Sequence, residues 1–168
     1  MAVLTTDLKQ YLSGGAANTS GDASIGGAKS TTVASTALDG LYNQFIGAET
    51  TAGGDFYRCL YLTNDSGTST LVNATFWLDE VGANANTTAT IGLGAAAKNF
   101  SETAVANETT APVGVTFSAP STKATGIILP DLLPGEYQAI WVKYTLAAAT
   151  PAFALDTLSI GFGGDTAA

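Results

Sequence analysis

The sequence predicts an all-β protein: a single antiparallel β-sandwich, of immunoglobulin-like or jelly-roll topology, with an extended N-terminal arm and one short helix. Three observations lead there. About seven or eight short apolar stretches are separated by turn signals, as in two-layer β folds. Several of them alternate in side-chain character with a period of two. At 168 residues the chain has room for one sandwich with an appendage but not for two comfortable domains, so we divide it into an arm, 1–35, and a sandwich, 36–168.

In chain order, residues 1–12 place Leu4, Leu8, Tyr11 and Leu12 at helical spacing and fit one helical turn or a short strand. Ser13 to Ser35 follows with Ile25 and Val33 as its only large apolar residues and with glycine pairs at Gly14-Gly15 and Gly26-Gly27. In isolation it buries too little surface to offset roughly 1 to 2 kcal/mol of backbone entropy per ordered residue. It is either a linker or an arm that docks on a neighbour, and we take the docking arm, with Tyr11, Leu12, Ile25 and Val33 as the residues that touch a partner. Leu38, Leu41, Tyr42, Phe45 and Ile46 then share a helical face that Gly47 would end, and Ala48 to Gly54 reads as a loop.

The β pattern starts at Phe56 with FYRCLYLTN, turns at Asp65-Ser66-Gly67, and resumes as LVNATFWLD, which indicates a hairpin or a sandwich corner. In the second run Val72, Ala74, Phe76 and Leu78 should face the core, and Asn73, Thr75 and Trp77 the other side. Thr88 to Leu93 is a further strand, and Lys98 to Thr110 is polar, aperiodic loop. Val113 to Phe117 and Gly126 to Leu129 are short strand candidates. Pro134-Gly135 then turns the chain into a central strand, in which Tyr137, Ala139 and Trp141 alternate with Gln138, Ile140, Val142 and Tyr144. A last strand is expected from Phe153 to Phe162.

Composition narrows the function classes. Charged residues are 12% of the chain, so the surface must be built from Thr, Ser, Asn, Gly and Ala, which suits contact with other protein surfaces. The net charge is −8 with 6 scattered basic residues, so there is no basic track for phosphates, and neither nucleic acid nor an anionic membrane is an expected partner. The start lacks a basic, apolar leader and no run is long enough to span a bilayer, which points to synthesis in the cytoplasm.

Chemistry-bearing patterns are missing. The chain has 0 histidines, which removes the usual activating base and the commonest zinc ligand. Asp55 and the pair Asp79-Glu80 read as solvated acids rather than a glycosidase pair, and Asp65 stands in no calcium-type loop. Cys59, the 1 cysteine, lies among Tyr57, Leu60 and Tyr61 and reads as a packed core thiol. We expect no catalytic, cofactor-binding or metal-binding residue. Asn-x-Ser/Thr sequons recur, as at Asn64 and Asn107, and follow from Asn and Thr richness. Trp77, Trp141, Tyr57, Tyr61, Tyr137 and Tyr144 fit either a sugar-stacking groove or packing; we take packing, with Tyr137 and Trp141 as possible subunit-interface aromatics.

The strings GGAANT, FYRCLYLTN, TATIGLG, VANETTAPVGVTFSAPSTKATG, PGEYQAIWVKYT and GGDTAA together resemble small β-rich structural proteins of tailed bacteriophages, over nearly the whole chain. Two sites depart from the resembled pattern. Lys143-Tyr144 stands where two basic residues follow the Trp-Val pair, and Gly161 to Asp165 stands for a more charged ending. The resemblance implies a non-enzymatic virion component on the capsid surface: a decoration or cement protein that binds the major capsid protein, as a homotrimer or homodimer. The alternative is a tail, baseplate or fibre component acting as a glycan- or receptor-binding module.

Overall fold

A computed structural model of the chain describes residues 2–35, 41–42, 45–82, 84–151 and 157–167. The alternating stretches form two antiparallel sheets. The larger contains β1 (Leu8–Ser13), β2 (Lys29–Val33), β3 (Gly54–Asn64), β5 (Thr87–Leu93) and β7 (Tyr137–Leu146), in the order β2-β1-β3-β7-β5. The smaller contains β4 (Thr70–Val81), β6 (Ile127–Ile128) and β8 (Leu158–Ala167), in the order β6-β4-β8. From β3 to β8 each successive strand lies in the opposite sheet. The stretch Asp65-Ser66-Gly67 is therefore a sandwich corner and not a hairpin turn.

Alternation explains the two cores. Leu60 and Leu62 of β3, with Ile140 and Val142 of β7, face the small sheet and pack with Leu12, Leu71, Phe76 and Ile91 between the layers. Tyr57, Cys59 and Tyr61, with Ala139 and Trp141, point outward and form a second buried cluster. Residues 94–126 cover it: Val105, Val115 and Phe117 pack onto the outward cluster. Backbone bonds hold this cover in place, from Tyr57 N–H to Glu108 (2.6 Å), from Val105 N–H to Ile25 (2.9 Å), and in both directions between Ile91 and Ser118. The molecule thus has three layers, and β7 is buried on both faces as its alternation predicts.

Several expectations are corrected. The division into an arm, 1–35, and a sandwich, 36–168, does not describe the structure, because β1 pairs with β3 from Leu8 to Leu12 and β2 pairs with β1. Ser13, Ser24 and Ser30 are buried there, and their hydroxyls tie the segment down with hydrogen bonds, such as Ser24 Oγ to the Cys59 carbonyl (2.8 Å), where apolar burial would do so elsewhere. The expected helix over Leu38 to Ile46 falls largely outside the described residues, at 36–40 and 43–44. Leu38 lies outside the described residues, Tyr42 and Phe45 pack against Tyr144, and α1 runs over Gly47–Ala52, where a loop was expected.

In β4 the non-glycine residue Asn73 takes φ +51° at a bulge, so Leu71 is buried in place of the expected Val72, while Ala74, Phe76 and Leu78 are buried as expected. Val113 to Phe117 is not a strand but part of the cover. The last strand continues to Ala167, and the start expected at Phe153 falls outside the described residues. Gly135, with φ +79°, makes the turn into β7.

Candidate functional site

The four expected partner-touching residues do not form one exposed surface, although Tyr11 and Val33 are cross-strand partners on β1 and β2. Leu12 is in the inner core. Tyr11 lies on the outer face of β1, donates its hydroxyl to Asp65 (2.6 Å), and carries the Lys29 ammonium 3.7 Å above its ring. The hydrogen bond to the Asp65 carboxylate, with burial, holds the Tyr11 phenol up at about 12. Ile25 is half-buried under the cover, and Val33 alone is exposed. Trp141 is fully buried in the outward cluster, and Tyr137 stacks edge-on to Tyr61 while donating to the Asn99 carbonyl (3.0 Å). Four of the six aromatics, Tyr57, Tyr61, Tyr144 and Trp141, are buried and line no groove, and Trp77 is half-buried on the other sheet.

The acids are dispersed as well. Asp55 on β3 accepts from Thr145 and pairs with Lys143, while Asp79 and Glu80 lie on β4 in the other sheet. Among the described residues no group of three His, Cys, Asp or Glu side chains could hold a metal ion, and no helix is long and apolar enough to cross a membrane. Burial pushes the Cys59 thiol far above its ordinary range, which keeps it protonated and unreactive.

A surface with recognition potential stands at the end of the sandwich where β1 and β7 begin and β3 ends. Three large apolar side chains are exposed there on separate loops, Leu4 (60%), Phe100 (67%) and Leu133 (52%). The loops beneath them are tied together. Buried Asn64 donates to the carbonyls of Ser69 (2.9 Å) and Leu132 (2.8 Å) and accepts from Ser66 N–H (3.1 Å), and its backbone bonds Glu136 and Gly135. The neighbouring Asp65 N–H donates to Asp7 (2.7 Å), which anchors the turn carrying Leu4.

Glu136 accepts from Leu133 N–H (2.8 Å), Asn99 Nδ2 (2.9 Å) and the Lys98 ammonium, joining the loop of Phe100 to that of Leu133. Burial would raise the Glu136 carboxyl; the hydrogen bonds from Lys98, Leu133 and Asn99 together outweigh it and hold it below its ordinary value of 4.5. Apolar side chains displayed on loops of fixed geometry lose little entropy on binding. Sequence reasoning missed all three because isolated apolar residues in loops carry no periodicity, and the only available signal was their position beside turn residues.

These features define a three-layered β-sandwich with an apolar, preorganised end and no assembled catalytic group among the described residues. No family model, no curated protein and no solved structure matches the chain.

Proposed function

We propose that this protein is a non-enzymatic decoration protein of a tailed-bacteriophage capsid, binding the major capsid protein on the outside of the shell through the end that carries Leu4, Phe100 and Leu133. The observation that carries this reading is the exposure of those three side chains on segments held by Asp65, Asn64 and Glu136. Interfaces draw their energy from a few apolar anchors in rigid surroundings, and this end supplies both. The low charge and the lack of a basic track fit a protein partner rather than nucleic acid. The sequence resemblance to phage structural proteins supplies the identity of that partner.

The mechanism is mass action. A protein that binds the assembled shell and not its dissociated subunits stabilises the shell by its binding free energy, and a homotrimer or homodimer engaging several subunits at once adds avidity. Co-sedimentation with purified capsids tests the assignment. The double variant Phe100→Ser, Leu133→Ser should bind about tenfold or more weakly, the equivalent of about 1.4 kcal/mol lost from an apolar anchor, while its unfolding transition stays in place. Undiminished binding by the folded variant would overturn the assignment of this end.

A further inference from the structure

The smaller sheet carries a second candidate surface, midway along β4 and separate from the apolar end. Trp77 lies flat across β8. A Cβ on Gly161, its direct cross-strand partner, would collide with the indole, and one on Gly163 would touch the ring's far edge at 3.8 Å. Two glycines therefore make room for one face of the ring, and a bulge on either side of Trp77 shapes β4 around it. The indole N–H donates to Asp79 (3.2 Å), which fixes the ring's orientation. Trp77 remains only half-buried, unlike Trp141.

The surroundings of the ring are polar on both sides. The 3-10 turn Lys123–Thr125 packs against β4 and β8 over Thr75, with the hydroxyls of Thr122 and Thr125 exposed and 2.9 Å apart. Its Lys123 ammonium reaches the Gly164 carbonyl (3.3 Å) and pairs with Asp165 (3.7 Å). Asp79 and Glu80 are exposed at the opposite side.

We propose that Trp77 is the stacking floor of a binding site for a neutral pyranose ring. A sugar presents an apolar C–H face that matches the free face of an indole, and hydroxyls that both donate and accept. Asp79 would accept from such hydroxyls, and the Thr122, Thr125 and Lys123 groups would donate to them. The acids in this rim outnumber its one cation, which is already paired, so anionic saccharides and phosphates are disfavoured. A protein partner would have to bury these charges without evident counter-charges, at a cost a hydroxylated ring avoids. The site is independent of the capsid-binding end, and either can fail without the other.

The test is an NMR titration of the full chain, reading the indole N–H signals of its 2 tryptophans. The probes are cellohexaose, laminarihexaose, chitohexaose and maltohexaose. The expected result is a saturable shift of the Trp77 signal with at least one probe, no movement of the buried Trp141 signal, and loss of the response in Trp77→Ala. Gly161→Ala, which displaces the ring, should weaken binding at least tenfold while the Trp141 signal reports an intact core. A Trp77 signal unmoved by every probe overturns the proposal, and so does full binding by Trp77→Ala. The wild-type titration decides even if a variant fails to fold.

Discussion

Arg58 shows how much of this molecule rests on single side chains that no motif marks. Its guanidinium is fully buried, pairs with Glu108 in the cover and with Asp22 (3.5 Å) in the β1–β2 loop, donates to the Leu41 carbonyl (3.1 Å), and sits 4.9 Å from the Tyr42 ring centre. Arg58→Ala would empty a fully buried site and remove the bonds to Glu108, Asp22 and the Leu41 carbonyl, and should destabilise by roughly 2–5 kcal/mol in chemical denaturation. Tyr61 is a second such fastener: its hydroxyl accepts from Glu102 N–H (2.8 Å) and donates to the Gly27 carbonyl. Tyr61→Phe leaves that buried N–H unpaired and should cost about 1–3 kcal/mol by the same measurement. Glu136 gives a pH signature. Its folded carboxyl titrates below its ordinary 4.5, so its contribution to stability is full above that value and is lost as pH falls through the lower folded value. Denaturation midpoints should therefore drop below pH 4.5 less steeply in Glu136→Gln than in the wild type. The burial of Cys59 and the two-faced packing of β7 were legible from alternation and neighbours, whereas Trp141, expected as a possible subunit-interface aromatic, is buried beneath the chain's own cover; Arg58 was not legible, because a lone arginine in a strand reads as a solvated charge until the elements that surround it are known.

At the scale of elements, legibility followed apolar content. The strands β3 and β7, and most of β4, announced themselves by alternation, and the turn residues between β3 and β4 located a real corner. For β1 the sequence left a helical turn and a short strand both open, and β2 gave no signal, since KSTTV and the glycine-rich loop before it hold almost no large side chain. Pairing to β3 orders β1, pairing to β1 orders β2, and buried serine hydroxyls hold the loop between them, none of which leaves a hydrophobic pattern. The consequence is testable. Deleting residues 1–35 removes two strands of the larger sheet and the buried Leu12, so the truncated chain should lose its cooperative unfolding transition in circular dichroism. A truncated chain with a native-like transition would return these residues to the status of an appended arm. The cover over 94–126 escaped detection for a related reason, because Val105, Val115 and Phe117 touch the sheet at irregular intervals between backbone bonds.

For the whole molecule, the class of fold was readable from the number and spacing of short strands, whereas the sheet orders were not, since nearly all pairings join strands far apart in sequence. Such nonlocal pairing also predicts slow folding, in milliseconds to seconds rather than microseconds. The proposed binding end was invisible for the complementary reason: Leu4, Phe100 and Leu133 sit on three segments distant in sequence, which the fold ties to one another through Asp65, Asn64 and Glu136. Whether that end holds a shell is decided most directly by quantitative mass spectrometry of purified virions, counting this chain against the major capsid protein. Decoration of the shell predicts a copy number in a fixed whole-number relation to the capsid subunits or their clusters. A count matching a single ring or a few fibres, or absence from the virion, would contradict it.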